Sequence, residues 1–481
     1  MKDKRTLLFL FIIILLGGTL RFAKLDYQSL WNDELSSLSR TRASSLVEVI
    51  KESRSDVHPP FYYCLLYLWQ NTFGNSPFSI RFLSAIFGAL SIVAIFFLGR
   101  QLYSEQEALI SALILSLSFY GIYYSQEARS YSLLLLLSMC SYLFFIKIQP
   151  QQSRANESNL ITSYVCYILF TTLLIYTHYF GVLVFFSQFI FILLSSFVQK
   201  REKGWFKPFL SQILVCLLYL PQISTIRANM NIAETWIRKP HFDFFIQYFN
   251  KYWGSDEAFF LLASLCIFCF FYFRSKKSEK NPEPGLNSTL LVVVWAAAPL
   301  IIAYGRSVFS TPILTDRNTI IVLAPLILMM ARGITSIKNR DILIVLIAAL
   351  SIAGFYSLFI TNEYYYRVSK EQFREVADTV MENKNISEQS LIVACAWNPY
   401  YFDYFFEQAQ SPFRVDALYE KKEDISNLEA LIRGSRKKFL WYLIGHKYPS
   451  QEALQYLENN YKLLGTKQFN KSSFFLFVLE R

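Results

Sequence analysis

The chain has 481 residues, of which 53% are hydrophobic and only 17% charged. Soluble domains carry about a quarter charged residues, so a set of water-soluble domains is excluded. The net charge of +11 could suggest nucleic acid, but much of it lies in short loops between apolar segments. The positive-inside rule places such loops in the cytoplasm, and we expect no nucleic-acid partner.

Eleven apolar segments approach the ~20 residues that cross a bilayer. They lie near 6–22, 80–99, 107–122, 131–148, 161–177, 181–198, 208–224, 257–273, 288–304, 318–331 and 341–361. Basic residues precede the first segment, as in a signal peptide, but no small-x-small cleavage site follows. The sequence therefore predicts an uncleaved first span and an all-α polytopic membrane protein with about 11 transmembrane helices.

The segment "HPPFYYCLLYLWQNTFG", residues 58–74, offers too few apolar residues for a full crossing. Counting it as a span would also move basic loops to the outside. We expect an interfacial or re-entrant helix there. The eleven remaining spans then predict a cytoplasmic N-terminus and an outer C-terminus.

The chain changes character after residue 362. "SLIVACAW", "KKFLWYLIG" and "SSFFLFVLE" read as strands, and "SQEALQYLENNYKLLG" as an amphipathic helix. We predict a transmembrane domain over 1–362, with an outer loop over 23–79, and a small extracytoplasmic α/β domain over 363–481. Cys395 alone falls in the latter, so no disulfide framework is expected within it.

The predicted topology gathers polar loops at the outer face, beginning with "LWNDELSS". Asp33 or Glu34 could take the proton of an attacking hydroxyl; the alternative is a pair of solvated surface charges. Arginine suits phosphate, because its planar fork donates two hydrogen bonds, although charges at span ends can also be interface anchors. The candidates for binding phosphate or substrate are Arg81, Gln126, Glu127, Arg129, Tyr131 and Arg317.

His58 and His178 are two of the four histidines and share the same predicted face. With a carboxylate nearby they could ligate a divalent metal; the alternative is a structural role for each. We find no Walker or Rossmann glycine pattern, so neither ATP nor NAD is expected.

The motifs "LWNDE", "HPPFYY", "RFLSAIFGAL", "YYSQEARSYSLLLLL" and "YTHYFG", followed by an arginine before a late span, resemble one family in their order. It is the dolichyl-phosphate-mannose–protein mannosyltransferase type, glycosyltransferase family 39-like, which includes bacterial aminoarabinose transferases and has the GT-C fold. The resemblance covers about residues 1–335.

The resemblance implies roles for individual residues. Asp33 and Glu34 match the family's first-loop acidic pair, proposed as catalytic base or acceptor-positioning group. Glu127 and Arg129 match a motif near the acceptor and the donor phosphate. Arg317 matches an arginine that contacts lipid phosphate, although Asn318 follows it where relatives carry tyrosine. His58 falls where some relatives carry a metal-ligating acid.

The resemblance and the polar face together predict an inverting glycosyltransferase. It would move a hexose or pentose from a polyprenyl-phosphate lipid to a hydroxyl of a protein, lipid or glycan. We expect it in a bacterial-type plasma membrane, working at the outer face. A transporter or flippase of lipid-linked saccharides is the rival, and a sensor or scaffold the third reading. Transporters keep functional polar groups near the bilayer midplane. The polar residues of this chain are instead predicted at one membrane face, which favours the transferase.

Overall fold

A computed structural model of the chain describes residues 2–54, 58–150, 157–198, 206–230, 237–278, 288–418, 425–446 and 451–479. The helices before residue 362 are α1 Lys2–Phe22, α2 Asn32–Arg40, α3 Leu46–Ser53, α4 Phe61–Phe73, α5 Pro77–Leu102, α6 Glu105–Leu117, α7 Phe119–Ser125, α8 Tyr131–Lys147, α9 Glu157–Thr177, α10 Phe180–Val198, α11 Phe206–Tyr219, α12 Ile223–Met230, α13 Phe244–Tyr252, α14 Glu257–Ser278, α15 Ser288–Phe309, α16 Leu323–Thr335 and α17 Arg340–Tyr356. Two 3₁₀ helices, Leu220–Gln222 and Arg317–Val322, and a π-helical turn, Ser357–Thr361, join some of them.

The predicted spans are helical. Within the described residues, seven helices are long and apolar enough to cross a membrane, or nine if each of two bent helix pairs is one span. Two shorter apolar helices, Tyr131–Lys147 and Phe180–Ser196, lie where two further spans are predicted. The predicted fold class, a polytopic helical protein with a small C-terminal sheet domain, is confirmed.

Helix α4 occupies most of the segment 58–74. Its 13 residues reach about 20 Å at 1.5 Å per residue, whereas the hydrocarbon layer is about 30 Å thick. A straight crossing by α4 is therefore excluded by length, as the sequence predicts.

The first bent pair is α6 with α7, which meet at 60°. Ser118 breaks the helix with an extended backbone, and its hydroxyl accepts a hydrogen bond from the N–H of Gly121. At the break, the carbonyls of Leu115 and Ser116 lose the helical N–H partner four residues on, and the Leu115 carbonyl instead accepts the N–H of Ser118 at 3.4 Å. The buried guanidinium of Arg21, in α1, donates to both, at 2.8 and 3.2 Å. A charged side chain thus satisfies backbone groups that lipid could not.

The second bent pair is α13 with α14, which meet at 105°. Gly254 lies in the turn with φ of +74°, a backbone conformation that suits glycine. Asp256 begins α14 by accepting the N–H of Phe259 at 2.9 Å. Helix α13 therefore runs almost at right angles to the span that follows, and it leaves Phe245 and Ile246 exposed.

The later elements are α18 Phe373–Glu382, α19 Lys384–Ser387, β1 Ser390–Cys395, α20 Tyr400–Gln408, β2 Ala417–Leu418, α21 Ile425–Gly434, β3 Phe439–Gly445, α22 Gln451–Asn460, β4 Lys462–Phe469 and β5 Ser472–Val478. The strands form one sheet in the order β2-β1-β3-β5-β4. β1 pairs in parallel with β2 and β3, and β5 pairs antiparallel with β3 and β4.

The three predicted strands are confirmed as β1, β3 and β5, and all three are mostly buried. The predicted amphipathic helix is present as α22, but its predicted C-terminal end is wrong. It stops at Asn460, and "KLLG" begins β4 instead. The backbone of β4 is taken up by pairing with β5, and this tertiary pairing overrides the local helical pattern.

Contacts within the chain define two compact units. The membrane unit comprises residues 1–23, 43–69 and 81–365. The C-terminal unit comprises residues 24–42, 70–80 and 366–481, so it includes α2 with the acidic pair. The domain boundary after residue 362 stays a prediction.

Candidate active site

Loops of the membrane unit meet around His178, in the short connection between α9 and α10. The His178 and His58 rings lie 4.8 Å apart between centroids, and the Tyr131 ring lies 5.9 Å from His178. Arg129 and Arg317 are close enough to act on His178 electrostatically. Segments separated by about 260 residues of sequence thus contribute to one cluster, as loops on a rigid scaffold often do.

His178 is held neutral in this cluster. Burial lowers its pKa well below the ordinary value, and the charges of His58, Arg129 and Arg317 lower it further, while the nearby Asn318 side chain opposes them. The Nδ1 atom accepts the N–H of Phe180 at 3.1 Å, so in the neutral ring Nε2 carries the proton. His178 can therefore donate a hydrogen bond without adding charge.

Arg129 is buried in the loop between α7 and α8. Its backbone N–H donates to the Glu127 carbonyl at 2.7 Å, and its carbonyl accepts the Ser84 hydroxyl at 3.4 Å. Tight packing supports this loop, since a Cβ on Gly88 of α5 would overlap the Ser125 side chain. The buried Glu127 lies in the same loop, which places acid and base next to the histidine cluster.

Arg317 is half-buried at the first position of its 3₁₀ helix. The Asp316 carboxylate accepts the backbone N–H of Arg317 at 3.1 Å. Asp316 also forms an ion pair with Lys251 at 3.2 Å. The guanidinium therefore extends from a turn whose geometry is fixed by its neighbours.

The structure gives Gln126 a structural contact. Its amide donates to the carbonyls of Leu20, Arg21 and Ala23 at 3.2, 3.0 and 2.8 Å, and so satisfies the C-terminal end of α1. Arg81 is buried in α5. A substrate-binding role for either residue stays a prediction.

His58 and His178, the two predicted metal ligands, lie next to each other in this cluster. Among the residues that the structure describes, no group of three or more His, Cys, Asp and Glu side chains could hold an ion. Any metal here would take its remaining ligands from elsewhere, and metal binding stays a prediction.

The acidic pair begins α2 in the C-terminal unit, where its two members differ. Glu34 is fully buried, and its carboxylate lies 3.5 Å from the Nζ atom of the buried Lys370. The same carboxylate accepts the N–H of Trp31 at 3.4 Å. Asp33 is half-buried, and it accepts the side-chain amide of Asn32 at 3.2 Å. Glu34 therefore anchors the helix, whereas Asp33 lies at a partly open position.

Sequence reasoning missed three residues of the C-terminal unit that join the acidic pair: Lys370, Glu371 and His446. Glu371 is buried and accepts the N–H of Asn32 at 2.7 Å through one oxygen. Its other oxygen lies 2.5 Å from Nδ1 of His446. Lys370 and Glu371 follow the last span as an ordinary charged pair, and nothing in the sequence distinguishes them. The only signal for His446 was that the chain has just four histidines.

The electrostatics of His446 tie it to Asp33. The hydrogen bond with Glu371 raises the pKa of His446 above its ordinary value. Burial opposes this effect, the charges of Glu371 and Asp33 add to it, and Lys471 opposes it. His446 thus holds its proton to higher pH than a free histidine.

Known proteins share this architecture. Residues 57–224 match the profile of the dolichyl-phosphate-mannose-protein mannosyltransferase family. The fold is similar to that of ArnT from Cupriavidus metallidurans in the apo state, with a TM-score of 0.66 and 10% identity over 100% of this chain and 98% of ArnT. For the same protein bound to undecaprenyl phosphate the TM-score is 0.65 at 12% identity, over 100% of this chain and 99% of ArnT. No curated protein sequence matches the chain.

A further similar structure is the archaeal oligosaccharyltransferase AglB from Archaeoglobus fulgidus, in complex with an inhibitory peptide and a dolichol-phosphate. Its TM-score is 0.58 at 11% identity, over 98% of this chain and 74% of AglB. The chain is thus an integral membrane protein with the fold of the GT-C class.

Proposed function

We propose that the protein transfers a sugar from a polyprenyl-phosphate lipid to a hydroxyl acceptor. The observation that carries this proposal is the cluster of Arg129 and Arg317 around the neutral His178, assembled from separate loops of the membrane unit. The ligands bound in the similar structures, undecaprenyl phosphate in ArnT and dolichol-phosphate in AglB, are lipids of this chemical kind.

The donor phosphate is assigned to the two arginines. Guanidinium groups bind phosphate oxygens through charge-assisted hydrogen bonds, which are stronger than neutral ones. The phosphate leaves as an anion that needs no proton near neutral pH, so fixed positive charge is sufficient to stabilise it. The Nε2–H of His178 supplies a neutral donor beside them.

The acceptor is assigned to the acidic pair, with Asp33 as the base. The acceptor oxygen forms a bond to the anomeric carbon while the bond from that carbon to the phosphate oxygen breaks, and its electron pair leaves with the phosphate. Asp33 takes the hydroxyl proton. A single displacement inverts the anomeric configuration. Glu34 is already engaged with Lys370, which favours Asp33 for this role.

The predicted topology completes the proposal. By the positive-inside rule the basic loops between spans favour a cytoplasmic N-terminus, and we assign the C-terminal unit to the extracytoplasmic side of a bacterial-type inner membrane. The acceptor is a protein, lipid or glycan with a free hydroxyl on that side.

The test is sugar transfer by the purified protein in nanodiscs, with a radiolabelled polyprenyl-phosphate sugar. We expect turnover by the wild-type protein and loss of at least about a hundredfold with Asp33→Asn, which is the scale of general-base contributions. Asp341→Asn is the control, since Asp341 is an exposed acid at the start of α17. Lipid translocation in liposomes without turnover of any donor would instead support the flippase.

A further inference from the structure

The C-terminal unit contains a carboxylate–imidazole pair that none of the roles above uses. Glu371 precedes α18, and His446 follows β3. One carboxylate joins two elements, because its oxygens contact the N–H of Asn32 and the Nδ1 atom of His446, at 2.7 and 2.5 Å. Asn32 is the immediate neighbour of the proposed base, Asp33.

Backbone contacts hold the residues of this pair in place. The N–H of Gln372 donates to the Asn470 carbonyl at 3.2 Å, and the N–H of Asn470 donates to the Gln372 side chain at 2.9 Å. The Asn470 amide also donates to the Lys370 carbonyl at 3.0 Å. The segment that carries Glu371 is therefore fixed on both sides against the turn between β4 and β5.

His446 itself has a constrained backbone. Its φ is +63°, a left-handed conformation that is uncommon outside glycine. Its N–H donates to the Lys471 carbonyl at 3.1 Å, and the preceding Gly445 packs so closely on Phe373 that a Cβ there would overlap the ring. Backbone strain of this kind often lies at functional positions.

We propose that His446 is a positioning residue for Asp33, and that Glu371 holds its imidazolium next to the acid. This inference rests on the proposed function. Glu371 fixes the ring through Nδ1–H and fixes the start of α2 through the Asn32 N–H. The protonated ring then keeps Asp33 ionised and oriented, so that it is ready to accept the proton of an acceptor hydroxyl.

The surrounding charges favour this arrangement. Asp33 and Glu371 both favour the imidazolium, and Lys471 disfavours it. Glu34 and Lys370 compensate each other as a buried pair. The effect of the two carboxylates on the pKa of His446 is larger than that of Lys471, so the ring keeps its proton to higher pH. Activity should then require an ionised Asp33, which sets the acid limit, and a protonated His446, which sets the alkaline limit. The expected pH profile is bell-shaped.

The experiment measures transfer against pH for the full chain in nanodiscs. We expect Glu371→Gln to move the alkaline limit of kcat/KM down by about one pH unit, because an adjacent charge shifts a pKa by about that amount or more. We expect His446→Gln to remove that limit and to lower kcat/KM about tenfold or more. The matched control is His241→Gln, because His241 also contacts a carboxylate, that of Asp243 at 3.0 Å, but is largely exposed.

A second measurement does not depend on turnover or on variants of the pair. Hydrogen–deuterium exchange at the imidazole C2 position, read by peptide mass spectrometry, reports the pKa of each of the four histidines. We expect Asp33→Asn to lower the value for His446 and to leave that of His241 unchanged. An unchanged His446 value, or unchanged pH limits in both variants of the pair, would overturn the inference. Absence of turnover by the wild-type protein would instead count against the proposed function.

Discussion

The buried ion pair between Glu34 and Lys370 makes a strong prediction for stability. The two side chains are 0% and 6% exposed, and their charged atoms lie 3.5 Å apart. At an effective dielectric constant of about 20, the attraction is about 5 kcal/mol. Lys370→Met would leave the Glu34 carboxylate buried without compensation. We expect it to destabilise the C-terminal unit by about 3–5 kcal/mol, as other broken buried pairs do.

Cys395 offers a local assay. It is buried in β1, and the other six cysteines belong to the membrane unit. The urea dependence of maleimide labelling, measured on the peptide containing Cys395, therefore reports unfolding of the C-terminal unit. The double variant Glu34→Gln, Lys370→Met removes both charges and should recover most of the loss. If the double variant is as unstable as Lys370→Met alone, the uncompensated carboxylate is not the cause.

Two further predictions concern the membrane unit. Arg129→Ala should raise KM for the lipid donor about tenfold or more, since a hydrogen bond to a charged group contributes about 1.5–3 kcal/mol. Arg129→Lys should recover only part of the lost donor affinity. Equal KM values for the wild type and the alanine variant in a donor titration would contradict the assignment. Arg21→Met should lower the thermal unfolding midpoint in detergent, because it removes the hydrogen bond to the Ser116 carbonyl and the shorter of the two hydrogen bonds to the Leu115 carbonyl. The exposed Arg340→Met serves as its control, and equal midpoints for the two variants would show that Arg21 is dispensable there.

The sequence could predict features that depend on local pattern. Apolar length identified the spans, and strand propensity identified β1, β3 and β5, because each signal lies within one short segment. The order of the loops also placed His58, His178 and the two arginines on one face, and the structure places these four residues in one cluster.

Contacts between distant residues could not be predicted in this way. Glu34 and Lys370 are separated by 336 positions, and nothing near either residue indicates its partner. The amide of Gln126 likewise donates to carbonyls at the end of α1. These hydrogen bonds form only because tertiary packing brings the two segments together. The sequence patterns indicated which residues are polar and near the surface, but not which of them are already engaged.

The right-angle turn between α13 and α14 has a consequence for how α13 meets the bilayer that α14 is expected to cross. A helix perpendicular to a span lies flat in the headgroup layer. The exposed Phe245 and Ile246 of α13 can then insert into the acyl chains, as the apolar face of an interfacial helix does. The depth of α13 in the bilayer would follow from the position of α14, the helix joined to it. We therefore expect α13 to be sensitive to a bilayer that is thinner or thicker than the length of α14.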